Sequence, residues 1–434
     1  MPEVIIHCDR LRPFVRDHYS VKSLNALMQQ LNNWGNLDFP QLDNGLFPAA
    51  IVSDETAYTG YGCVWVRDTV HIAYAQFQIG EVKVAIKSLP ALMDHFCRQR
   101  SRFEAIISGD VSSADLYQRP AIKFNDDLSE LDEPWPHAQN DALGYFLWFY
   151  CQLLQEGRFE LSEDTLQTLA LFPPYFQSIQ YWQAADHGHW EEAPKVEASS
   201  IGAVIAGLRS LHTWLASVEK STAIALFDLA QIQTLIDQGQ AALEQILPVE
   251  SLQPYRAVDS ALLFLIYPLQ VVKGAIADQI VQNVVSQLQG DYGIRRYRGD
   301  SYWCADYLEK VAAETRSGDF SESMAERDRL LHPGEEAQWC LFDPIISAIY
   351  GQRFQLSQKA KDLRQQTHYL NRALGQITGK SGPAPPYRCP ELYYLSRGTY
   401  MPNDSVPLLW TQANLAIALH CLHSSLVSAA SALN

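Results

Sequence analysis

No stretch of this sequence reads as a membrane span. The longest apolar candidates are interrupted by Gln, Asp or Arg, short of the roughly 20 apolar residues that a spanning helix needs. The opening MPEVIIHCDRLRPF lacks the basic region and long apolar core of a secretory signal, so a cytoplasmic protein with no membrane partner is expected. Cys-x-x-Cys is absent and the eight cysteines are scattered, which favours reduced thiols over a disulfide framework or a structural zinc. There is no basic run, and the formal net charge is −16, which excludes a nucleic-acid partner. Charged residues make up only 19% and hydrophobic residues 47%; that balance excludes a disordered or fibrous chain. Signals for a metal or cofactor are missing too. His187-Gly188-His189 has no third ligand at a matching position and reads as loop hydrogen bonding. Gly379-Lys380-Ser381 lacks the strand and the glycine spacing of a phosphate loop. Asn403-Asp404-Ser405 fits a glycosylation sequon, which has no use in a chain that is not secreted.

Aromatics are what the chain has in plenty, with ten Trp and 21 Tyr. Their faces stack on the C–H faces of pyranose rings, and they also fill cores. A neutral ligand suits the charge, and sugars are neutral.

Helical periodicity dominates and two-residue alternation is rare. The pattern predicts helices over Val21–Trp34, Thr69–Phe96, Asp141–Glu156, Glu163–Ala184, Ser199–Val218, Ala223–Ile246 and Ala275–Leu288. Further helices are predicted over Glu335–Tyr350, Leu356–Leu374 and Pro407–Ala430, with shorter pieces at Ser260–Tyr267 and Tyr307–Thr315. About a dozen helices without a strand-rich segment suggest paired helices wound into a ring, and no linker divides residues 1–434 into separate domains.

Aromatic and polar residues cluster just before the most apolar helices. Tyr61, Trp65, Arg67 and Asp68 precede TVHIAYA; Trp135, His137, Gln139 and Asp141 precede ALGYFLWFY. His189, Trp190, Glu191 and Glu192 precede SSIGAVIAGL. Trp339 leads into CLFDPIISAIYG, and Glu391 and Tyr393 stand before LLWTQANLAIALHCL. In a helical ring alternate helices run in the same direction, so these entrances share one end and can line one pocket.

In this order and spacing the clusters resemble glycoside hydrolase family 15, the glucoamylases, and most of all its relatives the α and β subunits of phosphorylase kinase. The resemblance runs from about Leu46 to about Leu422. The family's W-x-R-D stands as Trp65-Val66-Arg67-Asp68, with its preceding aromatic at Tyr61. Its Trp followed by Q-x-D stands as Trp135 and Gln139-Asn140-Asp141, and its W-E-E as Trp190-Glu191-Glu192. R-Y-x-x-D is Arg296 to Asp300, the next Trp is Trp339, and P-E-x-Y is Pro390 to Tyr393, followed by Pro407 and Leu408-Leu409-Trp410. LQGDYGIRRYRGDSYW and PELYYL place the chain nearer the kinase subunits.

The resemblance implies an all-α (α/α)6 barrel, or six-hairpin toroid, formed as one domain. It implies an inverting, exo-acting α-glucoside or α-glucan hydrolase with Glu191 as general acid and Glu391 as general base. The ligand would be an α-linked glucose oligosaccharide or a small α-glucoside, and no cofactor or metal is required. Sugar binding is assigned to Tyr61, Trp65, Arg67, Asp68, Trp135, Gln139, Asp141, Trp190, Glu192, Arg296, Asp300 and Trp339. The alternative is a regulatory protein that binds glucan without turning it over. Residue by residue, a plainer reading stands beside each role. Glu191 and Glu192 also read as first-turn acids at a helix N-terminus, Arg67–Asp68 and Arg296–Asp300 as structural ion pairs, and the tryptophans as core. An indole on one side of Glu191 and the Glu192 carboxylate on the other would raise its pKa, by desolvation and by like charge.

Overall fold

The structure is a computed structural model that describes residues 4–54, 56–218 and 224–431. Among these, helix dominates and the strands are short. Six helices are buried almost all round: Val66–Gln78, Asn140–Gln155, Ala198–Ser217, Leu262–Ile266, Phe342–Ser357 and Leu409–Ser431. A helix apolar on every face must be surrounded by protein. Each of the six packs on the next, and the last returns to the first, so they close a ring.

Amphipathic helices, each with one apolar stripe, wrap the ring. These include Val21–Asn33, Val82–Arg98, Leu229–Ile246, Gly274–Gln287 and Ala360–Gly375. The expected paired-helix ring is therefore present. The tightest seam lies between Asn140–Gln155 and Ala198–Ser217. There a Cβ on Gly144 would sit 2.4 Å from the Ala203 carbonyl carbon, so glycine lets the two backbones touch.

Several predicted boundaries shift for local reasons. Thr69–Phe96 divides into Val66–Gln78 and Val82–Arg98, because Gly80 takes a left-handed φ of 98° between them. Glu163–Ala184 breaks into Glu163–Leu169 and Phe172–Ser178, since Pro173 and Pro174 suit a helix start and not its interior. The helix predicted from Ala223 has its first residue outside the described residues; within them it runs Leu229–Ile246, capped by Asp228. Glu335–Tyr350 begins instead as a strand at Gln338–Trp339, and the helix starts at Phe342. Leu409–Ser431 also corrects the reading of apolar runs. Its 23 residues are long and apolar enough to cross a membrane by length and composition, and its apolarity serves its place in the inner ring.

Small sheets sit at the N-terminal end of the inner helices. Val64–Trp65 pairs antiparallel with Lys123–Phe124, putting Trp65 opposite Lys123. Gln338–Trp339 pairs with Leu392–Ser396, which forms a hairpin with Thr399–Pro402. Its two-residue turn, Arg397-Gly398, has positive φ at both positions, the arrangement that matches strand twist. These strands fix the residues that precede three of the inner helices.

Candidate active site

The chain turns sharply between Trp190 and Glu192. Gly188–Trp190 is a single 3₁₀ turn and Glu191 follows in the left-handed region at φ 58°, an uncommon state for a side chain larger than glycine. Gly188 permits the turn's close approach, because a Cβ there would overlap the Glu197 carboxylate. The result sends two neighbouring carboxyls into different surroundings.

The Glu191 carboxyl remains 17% exposed and lines a cavity, with Arg67 Nη1 3.6 Å away. Burial raises its pKa to about 7, against the pull of Arg67 and Lys123. The like charges that add to the rise belong to Asp68 and Asp141. The expected contribution of Glu192 is not among the main causes. Glu192 is completely buried and bound by Arg327 at 2.8 Å, Arg296 at 3.1 Å and Arg256 at 3.2 Å. Tyr297 adds its hydroxyl at 2.6 Å. Burial alone would raise the Glu192 pKa; Arg296, Arg256 and Arg327 together hold it well below the usual carboxylate range.

Glu391 stands at the base of the Leu392–Ser396 hairpin. Tyr61 donates its hydroxyl to Oε1 at 2.7 Å and Asn403 donates its amide to Oε2. Burial lifts this carboxyl to about 7 in spite of both donors. Tyr302 continues the chain, its hydroxyl 3.2 Å from that of Tyr61.

Both carboxyls line one cavity. Tyr61, Trp65, Arg67, Asp68, Trp135, Trp190, Arg296 and Trp339 line it with them, as expected. Trp65 and Trp135 meet edge to face at 5.3 Å, and the Lys123 ammonium lies 3.4 Å from the Trp135 ring centre. Arg296 is enclosed by Trp339, Trp190 and Tyr302 at 4.9 to 5.2 Å. The indole N–H groups of Trp65, Trp135, Trp339 and Trp410 have no hydrogen-bond partner among the described residues, although buried polar groups normally find one. Asp68, buried beside Arg67, has its pKa raised to about 6 by desolvation.

Gln139, Asp141, Glu192 and Asp300 do not line the cavity. They stand behind its wall, where their charge is consumed by arginines. Asp141 binds Arg67 through both oxygens and Gln139 accepts from Arg67 Nη2 at 2.6 Å. Asp300 grips Arg296 with both oxygens. Fixed guanidiniums of this kind are pre-organised donors, and these residues hold the guanidiniums in the wall. His187 has the loop role expected of it, pairing with the Glu192 carbonyl at 2.7 Å, whereas His189, paired with the Tyr145 hydroxyl at 3.0 Å, also lines the cavity.

Other contributors escaped the sequence reading. Tyr302 and Arg327 line the cavity, as does the segment Ser317–Phe320. Tyr302 lies two residues beyond Asp300 in the R-Y-x-x-D phrase, which was the available signal. The segment from Ser317 to Phe320 carries none, being a loop of ordinary composition. Asn403 looked like an idle sequon, and the hairpin register gives it a use. Tyr393 pairs with Pro402, so the residue after Pro402 arrives beside Glu391. A sixth polar entrance also exists: Asp259, before Leu262–Ile266, accepts from the Trp190 indole at 2.9 Å.

The model of the family described as "Glycosyl hydrolases family 15" matches residues 22–228, a span that holds Tyr61 through Glu192 but not Arg296, Trp339 or Glu391. The probable phosphorylase b kinase regulatory subunit alpha of Caenorhabditis elegans is 26% identical over 288 residues, 58% of this chain and 22% of that protein. The chain thus spans about a fifth of the length of such curated relatives. A solved glycosidase in complex with glucose superposes with a TM-score of 0.65 at 18% identity, over 94% of this chain and 98% of its own. A bacterial glucoamylase complexed with acarbose gives a TM-score of 0.59 at 15% identity, over 93% of this chain and 56% of its own. In sequence over residues 22–228 this chain is similar to the glycosyl hydrolases of family 15, and in fold over nearly its whole length it is similar to solved glycosidases and glucoamylases.

Proposed function

We propose that this chain is an inverting, exo-acting α-glucoside hydrolase, with Glu191 as general acid and Glu391 as general base. The observation that carries the reading is the pair of buried carboxyls, each raised to about 7, in one cavity. Cleaving an α-glucosidic bond needs a proton on the leaving oxygen and an activated water at the anomeric carbon. Glu191, desolvated and without a short donor, suits the protonated role. Glu391 accepts hydrogen bonds from Tyr61 and Asn403, which favour and orient the ionised form that a base requires. In the reaction Glu191 gives its proton to the glycosidic oxygen as the C–O bond breaks. Glu391 takes a proton from water, and that water's oxygen bonds to the anomeric carbon from the opposite face. Asp68, between the two carboxyls in the lining, offsets the positive charge that develops on the sugar. Arg67 and Arg296 supply fixed donors for sugar hydroxyls. The solved neighbours named for glucose and acarbose support an α-linked glucose oligosaccharide or small α-glucoside as ligand.

A second reading, a glucan-binding regulator without turnover, draws on the sequence similarity to proteins named as regulatory subunits. Purified protein assayed on maltose, maltooligosaccharides, trehalose and isomaltose separates the two. Release of glucose from any of them, abolished in Glu191→Gln and Glu391→Gln, supports the hydrolase. Calorimetric binding of maltooligosaccharide with no turnover of any substrate supports the regulator.

A further inference from the structure

The hairpin that follows Glu391 and ends beside Asn403 also lines a second cavity, of about 600 Å³, which shares no lining residue with the first. The Tyr393 ring, itself buried, stacks on His7 with centroids 4.4 Å apart and planes within 11°. Tyr400, also on the wall, stacks on Tyr292 at 4.2 Å and 18°. Nε2 of His7 is buried and has no hydrogen-bond partner among the described residues. Burial lowers the His7 pKa, which keeps the ring neutral. Ser381, Ser396 and Thr399 add small polar groups to the lining, and the one charged pair on the rim, Glu309 with Arg397, cancels itself.

Flat aromatic faces, hydroxyls and no net charge describe a site for a neutral, polyhydroxylated ligand with an apolar ring face. An anion would meet the field of a chain carrying −16. We infer that this cavity is a second saccharide-binding site, non-catalytic, which holds an α-linked glucose oligosaccharide on the outer side of the hairpin that follows Glu391. The ligand class rests on the saccharide reading of the first cavity; the existence of a site does not. Two sites on one chain raise the local concentration of a glucan at the first.

The test uses the full chain carrying Glu191→Gln, to prevent turnover, titrated calorimetrically with maltotriose. Two sites per chain are expected. Tyr400→Ala removes an aromatic wall, and Ser381→Trp fills the cavity from its loop side without touching the hairpin. Each should leave one site and weaken the other at least about tenfold, the scale of a lost ring contact. In the otherwise wild-type chain both substitutions should leave hydrolysis of maltose unchanged. A single site that neither substitution weakens overturns the inference and spares the proposed function. A single site lost in Tyr400→Ala but kept in Trp339→Ala upholds the second site and overturns the first. No binding of maltotriose in any variant overturns both.

Discussion

Glu191 and Glu192 are adjacent in the chain and opposite in fate. The first lines the cavity with its pKa raised to about 7. The second is sealed among three arginines that hold its pKa far down. Nothing in the residue type separates them. One left-handed backbone residue at φ 58° does, because it turns one carboxyl toward the cavity and the next into the wall. The pair teaches that a site acid is made by what fails to neutralise it. Arg67 stands 3.6 Å from Glu191 but spends its other donors on Asp141, Gln139 and the Gly188 carbonyl. The arginines around Glu192 are aimed at it.

The largest expected effect breaks the pair apart by substitution. Glu191→Gln should lower kcat by about 10²–10⁴-fold, the usual worth of general acid–base catalysis, with no loss of thermal stability. Glu192→Gln should do the reverse in kind. It leaves buried guanidiniums without their carboxylate, which costs about 3–5 kcal/mol and should appear as a clear fall in Tm. Equal effects on kcat and Tm in both variants would erase the distinction.

Acid titration of stability sharpens the same contrast. For Glu191 the folded pKa lies above its ordinary value, so its contribution is fully present below about pH 4.5 and is lost as pH rises to about 7. Glu191→Gln should therefore gain Tm over wild type only as pH climbs through that window. Glu192 has a lowered folded pKa, so its contribution is present above about pH 4.5 and is lost only in strong acid. The Tm deficit of Glu192→Gln should be full at neutral pH and shrink as pH falls below 4.5. Thermal melts of the three proteins from pH 4 to 8 check both signs.

Much of this was legible in the sequence, and the limits have physical causes. The ring showed itself because inner helices such as Asn140–Gln155 are apolar on every side while outer ones such as Ala360–Gly375 carry one stripe. The lining showed itself wherever a residue sits just before an inner helix, as Trp65 and Trp339 do. What did not show was depth. Gln139 and Asp141 occupy the same entrance as Trp135, yet a helix start carries some side chains to the cavity and others behind it, and only tertiary packing decides which. Long-range partners such as Asn403 and Arg327 also stayed hidden, since hairpin register and a loop return bring them in from distant sequence.

The activity profile extends the comparison to the base. With both carboxyls near 7, kcat/KM should trace a narrow bell about neutrality. It should fall in acid as Glu391 protonates and in alkali as Glu191 ionises. Asn403→Ala removes a donor that favours the Glu391 carboxylate, so the acid limb should move to higher pH while the alkaline limb stays. An unchanged acid limb would show that Asn403 does not govern the base.

The smallest expected effect concerns the residues behind the wall. Asp141→Asn keeps the shape but removes the charge that fixes Arg67. A charged hydrogen bond is worth about 1.5–3 kcal/mol, so KM should rise by roughly tenfold or more. The alkaline limb should also move to lower pH, because the Asp141 charge helps to raise the Glu191 pKa. An alkaline limb that stays in place would contradict that coupling.

The central claim is that Glu191 and Glu391 work from opposite faces of the sugar, one on the leaving oxygen and one through water. Proton NMR of the glucose released in the first moments of p-nitrophenyl α-glucoside hydrolysis, where the leaving group has no anomeric centre of its own, tests it most directly. The account predicts β-glucose as the first product, with the α anomer growing in only by mutarotation. Initial release of α-glucose would contradict it, because retention requires a carboxylate nucleophile in place of a base that activates water.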